Sequence, residues 1–337
     1  MENTQVALSN PIRIAISGAA GRIGYSLIFR IANGGLFGHD HPIALSLLDL
    51  PTAIGRLEAC ALELTDCAFP LLAALHVGTD PVRAFRDADW VILLGGQPFR
   101  VKPTHRVDLL KENAPVMIGH ARAINQVAPM ARILVVTSPC NTNCLVAMSH
   151  AHDVPKEHWF ALNQHIRMRA IAMVAAKTSA PITQVTRLTV WGNNSETAYV
   201  DLQNARVGNK PALQVISEPD WYRKIFEPAM SGRFHEAARV GGVSPAGSAA
   251  QAIMMTIRAI TTSTPFEHWF GAGVLSDGSY GVPRRLVFGF PLVTSDGKSW
   301  SVAQGHYLDA HAHERIAQNI AELEHEASAV SHLLGRA

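Results

Sequence analysis

The chain is short of several features that would place it in a class at once. Charge is scarce: 17% of its 337 residues are Asp, Glu, Lys or Arg, and 29 basic against 27 acidic residues leave a formal net charge of +2. Such a balance offers neither the basic stripe of a nucleic-acid groove nor a one-signed field that recruits a membrane surface, so neither partner is expected. Long apolar runs are missing as well. No stretch reaches the ~18–20 apolar residues that span a bilayer. The opening MENTQVALSNP has no basic start leading into an apolar stretch and no Arg-rich amphipathic pattern, so no signal or transit peptide is expected.

Cysteine is sparse. Cys60, Cys67, Cys140 and Cys144 sit in apolar segments and read as free thiols of a reducing cytoplasm. Cys140 and Cys144 do not have zinc-knuckle spacing. Three His-x-His pairs (His39/His41, His150/His152, His311/His313) come without a cysteine or carboxylate cluster, so they read as solvated positions and no metal is expected.

What is present is a 48% apolar chain long enough for two well-buried domains. Ile12–Ser17, Ile43–Leu48, Trp90–Leu94 and Ile133–Thr137 are β-rich runs, each followed by a loop, and helical periods fall at Arg56–Thr65 and Val107–Val127. Strands alternating with helices predict a Rossmann-type, doubly wound parallel sheet over residues 1–155. Residues 156–337 read as a mixed α+β C-terminal domain. It has helices at Arg169–Lys177, Trp221–Ala238, Gly247–Ile260 and Leu308–Leu334, and strands at Gln184–Trp191, Arg285–Thr294 and Trp300–Val302.

Gly18, Gly21 and Gly24 follow a strand and open a helix. Glycines there permit a tight turn, let the backbone approach a pyrophosphate, and let the helix pack close to the sheet, with its N-terminus facing the negative charge. Asp49 ends the next strand, 25 residues beyond Gly24, where it can accept from a ribose hydroxyl and would repel a 2′-phosphate. This context points to NAD as cofactor. The expected contact set is Gly18, Gly21, Arg22, Ile23, Gly24, Asp49, Gly95, Gly96, Asn113 and Ser138.

The segments GAAGRIGYSLIFRIA (18–32), TDCAFPLL (65–72), DLLKEN (108–113), CNTN (140–143), AAKT (175–178), TVWGN (189–193) and SDGSYGVP (276–283) occur in order. In these the chain resembles the cytosolic-type malate dehydrogenases of the lactate/malate dehydrogenase superfamily, over about residues 11–330. The resemblance implies NAD-linked oxidoreduction of a small carboxylate-bearing acid by a homodimer. Helices around 56–65, 155–177 and 221–238 that are apolar on more than one face agree with a dimer.

In such enzymes a histidine exchanges a proton with the substrate oxygen, an aspartate orients that histidine, and arginines grip carboxylates. The resemblance places the histidine position at Asn194, the aspartate position at Ile166, and the family's substrate-touching asparagine at Ser138. Arg169 matches the arginine that grips the C1 carboxylate, and Arg106 matches the second arginine of the substrate loop. Arg100 matches the first if an extra loop residue lies just after Pro98. Losing the pair together has a logic: an aspartate without an imidazolium to stabilise would be an uncompensated buried charge. Asn194 can donate a hydrogen bond but cannot transfer a proton, so ordinary malate dehydrogenase activity is expected to be weak or lost.

Three functions stay open on the sequence. One is a diverged NAD(H) oxidoreductase of a 2-hydroxy or 2-oxo acid, using His165, His105 or water as substitute acid. Another is a non-redox decarboxylase of an oxaloacetate-like or phosphonate β-keto acid, with Asn194 and Ser138 steadying an enolate. The third is a catalytically silent binding relative.

Overall fold

The computed structural model describes residues 10–97, 105–242 and 245–335, and Arg100 lies outside them. The first half runs β1 (Ile12–Ser17), α1 (Arg22–Ala32), β2 (Ile43–Leu48), α2 (Ile54–Asp66), β3 (Leu72–Gly78), the short α3 (Pro81–Ala84), β4 (Trp90–Leu93), α4 (Arg106–Val127), β5 (Arg132–Val135), α5 (Cys140–Met148) and β6 (Trp159–Ala161). These six strands are parallel, in spatial order β3-β2-β1-β4-β5-β6. The chain fills one side of β1 and then crosses to the other. That reversal opens a crevice beyond the C-terminal ends of β1 and β4, where ligands of doubly wound sheets sit. All four residues of β4 are buried, as expected of a strand covered on both faces by helices.

The second half runs α6 (Gln164–Thr178), β7 (Val185–Thr186), β8 (Thr189–Trp191), β9 (Tyr199–Asp201), β10 (Arg206–Val207), β11 (Lys210–Pro211), α7 (Ala212–Val215), α8 (Pro219–Trp221), a π-turn at Tyr222–Phe226 and α9 (Glu227–Gly241). It continues with α10 (Gly247–Thr261), β12 (Phe270–Leu275), β13 (Val287–Val293), β14 (Ser301–Val302) and α11 (Ala310–Ala329). The expected class, a Rossmann-type parallel sheet with a mixed C-terminal α/β part, is the observed one. The two halves share more than a contact. β12 pairs antiparallel with β6, and β13 and β14 follow, so a single sheet of nine strands runs through both.

The single strand expected at Gln184–Trp191 is two. Arg187 takes φ 56°, and the turn there sends β7 to pair with β10 while β8 pairs with β9. Under α6 a second apolar core gathers Ile166, Val190, Val200, Phe226 and Met230, apart from the main core of the parallel sheet. Among the described residues no helix is long and apolar enough to cross a membrane.

Candidate active site

The cofactor side of the crevice is built from backbone. Gly18 has φ +68°, and a Cβ there would stand 2.6 Å from the Gly95 backbone, so the β1 and β4 ends touch main chain to main chain. A Cβ on Gly24 would come within 2.3 Å of the Ala19 carbonyl, which lets α1 pack directly on the turn. Gly21 caps α1 without a side-chain bond, and no acidic residue occupies the first turn. The first N–H groups of α1 therefore face the crevice without an intrahelical partner, a ready anion cradle. Asp49 closes the arrangement from β2: its Oδ2 accepts from Ala20 N at 2.9 Å and its Oδ1 from Leu50 N at 2.8 Å. Arg22 is exposed at the mouth, and Ile23 is half-buried against the core.

The far wall is braced by one buried side chain. Asn113 on α4 accepts from Gln97 N at 2.7 Å and donates to the Ser138 carbonyl at 2.8 Å, tying the segment after β4 to the segment after β5. A Cβ on Gly96 would strike Thr137 and Asn113. The cradle thus fits a dinucleotide pyrophosphate in shape and in its unpaired donors.

Asn194 stands in the loop after β8. Its Nδ2 donates to the Cys140 sulfur at 3.7 Å, at the start of α5 and two residues from Ser138. Burial pushes the Cys140 thiol pKa up, more than the Asn194 amide, the Arg106 charge and Ser138 pull it down. Arg106, the first residue of α4, donates Nη1 to the Asn194 carbonyl at 3.3 Å and Nε to Glu326 at 2.8 Å. Its Nη2 is buried without a hydrogen-bond partner among the described residues, one donor left for a bound anion. Burial lowers the Arg106 pKa, but Glu326 and Glu322 outweigh it and hold the guanidinium more firmly charged.

Ile166 and Arg169 lie three residues apart on one face of α6. Ile166 is 6% exposed, in the apolar cluster that also holds Val190 and Ala198 on either side of the Asn194 loop in sequence. Arg169 donates Nη1 to the Met230 carbonyl on α9. His165 turns elsewhere: its Nε2 meets Ser248 Oγ of α10 at 3.0 Å. Burial, with Arg169's charge, pushes its pKa down to about 4, so the ring is neutral at pH 7.

An N-terminal family model, lactate/malate dehydrogenase NAD binding domain, matches residues 12–160, and its C-terminal partner, lactate/malate dehydrogenase alpha/beta C-terminal domain, matches 165–333. The chain belongs to the lactate/malate dehydrogenase family. Its first domain is an NAD-binding domain, so NAD is its cofactor. A malate dehydrogenase of Naegleria fowleri is 34% identical, covering 97% of this chain and 100% of its own, with a TM-score of 0.92. A Trichomonas vaginalis lactate dehydrogenase solved with NADH and oxamate is 31% identical, covering 95% and 98%, with a TM-score of 0.90.

One part of this dehydrogenase-family site escaped the sequence reading. Asn319, Glu322 and Glu326, on one face of α11, hold the Asn194 loop from below. Asn319 accepts from Asn193 N at 2.9 Å. Glu322 accepts from Asn193 Nδ2 at 2.9 Å, Ser195 Oγ at 2.6 Å and Thr197 Oγ1 at 2.7 Å. A Cβ on Gly192, which has φ +91°, would stand 2.1 Å from the Asn319 side chain. The available signal was polar residues at i, i+3 and i+7 on a helix whose other face is apolar, set against the polar run Asn193–Ser195.

Proposed function

We propose that this family member is an NAD(H)-dependent oxidoreductase of a small carboxylate-bearing 2-hydroxy or 2-oxo acid. In it the family's usual proton-transfer pair is replaced, so malate and oxaloacetate turn over slowly. The observation that carries this reading is the pairing at two positions. Asn194 presents an amide hydrogen-bonded to Cys140, and Ile166 stands in an apolar cluster where an orienting carboxylate would be needed.

The nicotinamide, when bound, supplies or accepts the hydride. The chain's own residues position the substrate. Arg169 and the open Nη2 of Arg106 attract its carboxylates, and Asn194 and Ser138 offer neutral hydrogen bonds to the reacting oxygen. No neutral amide or hydroxyl passes on a proton at pH 7, and His165 is neutral and directed at Ser248. Water or His105 is then the acid or base. General acid–base assistance accounts for about 10²–10⁴-fold in rate, and that factor is what the site gives up. That the Trichomonas vaginalis relative holds NADH and oxamate supports a small carboxylate as substrate. Decarboxylation and silent binding draw no support from relatives that are dehydrogenases.

The test is NADH oxidation with oxaloacetate, pyruvate and longer 2-oxo acids, run beside the Naegleria fowleri enzyme. Oxaloacetate turnover at least about 10²-fold slower than that enzyme is expected, with another 2-oxo acid reduced faster. Turnover of oxaloacetate at the comparator's rate would refute the reading. We take the assembly to be a cytoplasmic homodimer, and a monomer mass by light scattering would contradict it.

A further inference from the structure

The Asn194 amide has a fixed sense in the site. The one hydrogen bond of its side chain among the described residues runs from Nδ2 to the Cys140 sulfur, at 3.7 Å. The thiol is not the donor there, because its single hydrogen goes to the Val136 carbonyl at 3.1 Å. Burial, which pushes the thiol pKa up, keeps that hydrogen in place at neutral pH. The sulfur is left as an acceptor, so the edge of the carboxamide that faces it is Nδ2 and not Oδ1. The Ser138 hydroxyl bonds to the same sulfur and pulls the thiol pKa down, as a donated hydrogen does. A residue only 1% exposed thus takes a hydrogen from each of the two neutral groups assigned to the reacting oxygen.

What those groups keep for a substrate is their lone pairs. Asn194 and Ser138 are both half-buried, and no described residue donates to Asn194 Oδ1. A 2-hydroxy acid brings a hydroxyl, which can donate to them. A 2-oxo acid brings a carbonyl, whose lone pairs would face theirs with no hydrogen between. A site that hydrogen-bonds a substrate hydroxyl rejects the analogue lacking it, because the site's own polar groups are then left unpaired. An imidazole at this position would not discriminate in this way, since gaining or losing a proton turns it from acceptor to donor. A carboxamide held by its nitrogen has no such choice.

We propose that Cys140 is a positioning residue that makes the site select a 2-hydroxy acid over the matching 2-oxo acid, by taking up the hydrogens of Asn194 and Ser138. The inference rests on the substrate position proposed above and adds the oxidation state of the acid that binds there.

The test measures binding without turnover. The full chain is saturated with a tetrahydronicotinamide analogue of NADH, which cannot transfer hydride. It is then titrated calorimetrically with three matched pairs: L-lactate and pyruvate, L-malate and oxaloacetate, and the hydroxy and oxo acids of the leucine skeleton. In any pair that binds, the hydroxy acid is expected to bind at least about tenfold tighter. Cys140→Ala removes the acceptor and frees both hydrogens for the substrate oxygen. The ratio should then fall to within about threefold, mainly through a gain in oxo-acid affinity. Lost packing alone would weaken both acids and leave the ratio where it was. The wild-type ratio needs no variant, so the proposal can fail even if Cys140→Ala does not fold. Equal or reversed affinities in the wild type overturn it, since the second amide hydrogen then serves the substrate. So does a ratio that Cys140→Ala leaves unchanged. Binding by no member of any pair would overturn the proposed substrate class itself, and this inference with it.

Discussion

Arg106 and Glu326, 220 positions apart in the chain, meet at 2.8 Å directly beneath the loop that carries Asn194. Glu326 is 1% exposed, and it also accepts from Thr142 Oγ1 at 2.5 Å and Asn193 Nδ2 at 3.1 Å. One carboxylate of α11 thus joins α4, α5 and the Asn193 side chain of the loop. The resemblance assigns Arg106 to the substrate, yet two of its three nitrogens are already engaged within the protein. It positions the Asn194 loop as much as it waits for an anion.

Glu326→Leu would leave the half-buried Arg106 guanidinium beside an apolar neighbour, with Glu322 at 3.7 Å as its remaining charge partner. Removing one partner of a fully buried pair costs about 3–5 kcal/mol; with Glu322 retained and Arg106 partly exposed, a loss of about 1–3 kcal/mol is expected. Glu326→Gln keeps an acceptor and should cost less. Urea unfolding of the three proteins checks this. A loss below about 1 kcal/mol for Glu326→Leu is what a solvated, exposed pair would give, and it would contradict the burial.

Asp49 keeps a carboxylate at the mouth of the cradle while its oxygens brace Ala20 and Leu50. NAD(H) should therefore bind at least about tenfold tighter than NADP(H), since a 2′-phosphate would face that charge. Asp49→Ser should narrow the gap. Fluorescence titration with both reduced cofactors gives the ratio, and an equal or reversed preference would remove Asp49 from the ribose site.

Stability should fall on mild acidification. Burial pushes the pKa of His120 from 6.5 down to about 4, and burial does the same to His306 despite the Ala303 carbonyl, which opposes it. The unfolded chain takes up these protons near pH 6.5, but the native state does so only near pH 4. Stability is therefore full above pH 6.5 and declines as the pH falls toward 4. Each such histidine contributes a slope of up to about 1.4 kcal/mol per pH unit in that window. His120→Phe, which keeps an aromatic ring against Phe85, should flatten the melting-temperature profile there. A wild-type profile already flat over this range would mean that both rings reach solvent.

Four of the six parallel strands were legible because they are short apolar runs closed by turn residues; β3 and β6 were not read. Ile12–Ser17 and Ile43–Leu48 fall where the pattern puts them. β12 was missed because two glycines thin out its β-forming residues, yet Gly273 must be small where a Cβ would stand 2.8 Å from Ala161. The helix α5 was missed because Cys140–Asn143 is polar and short, and it is held by bonds to distant elements: Asn141 Nδ2 to the Val287 carbonyl at 3.0 Å, and Thr142 to Glu326. The break at Arg187 had no local signal, because a positive φ outside glycine follows from tertiary pairing. At the site, the glycine cradle and Asp49 could be read from local order. The α11 face under Asn194 could not, because its residues sit more than 120 positions from the loop they hold.

Restoring the proton-transfer pair should need both residues together. Asn194→His alone should recover little activity. The new imidazole would have no carboxylate at position 166 to orient it, and the apolar cluster around Ile166 disfavours its charged form, so its pKa would be depressed. Ile166→Asp alone places a carboxylate at a position 6% exposed, with Val190, Phe226 and Met230 in the same cluster, and should destabilise the fold without helping catalysis. Together the two supply each other's missing partner. The double variant should therefore regain stability relative to Ile166→Asp and recover more oxaloacetate reduction than the two single changes combined. Ser138→Asn could then add a contact to the substrate oxygen. NADH oxidation and thermal melts of wild type, both singles and the double decide the matter. If all four stay folded and equally slow, the lost pair is not what separates this protein from its relatives. The Arg106–Glu326 tether, which engages one substrate arginine, then becomes the better explanation, and Glu326→Gln on the double background is the measurement that separates the two.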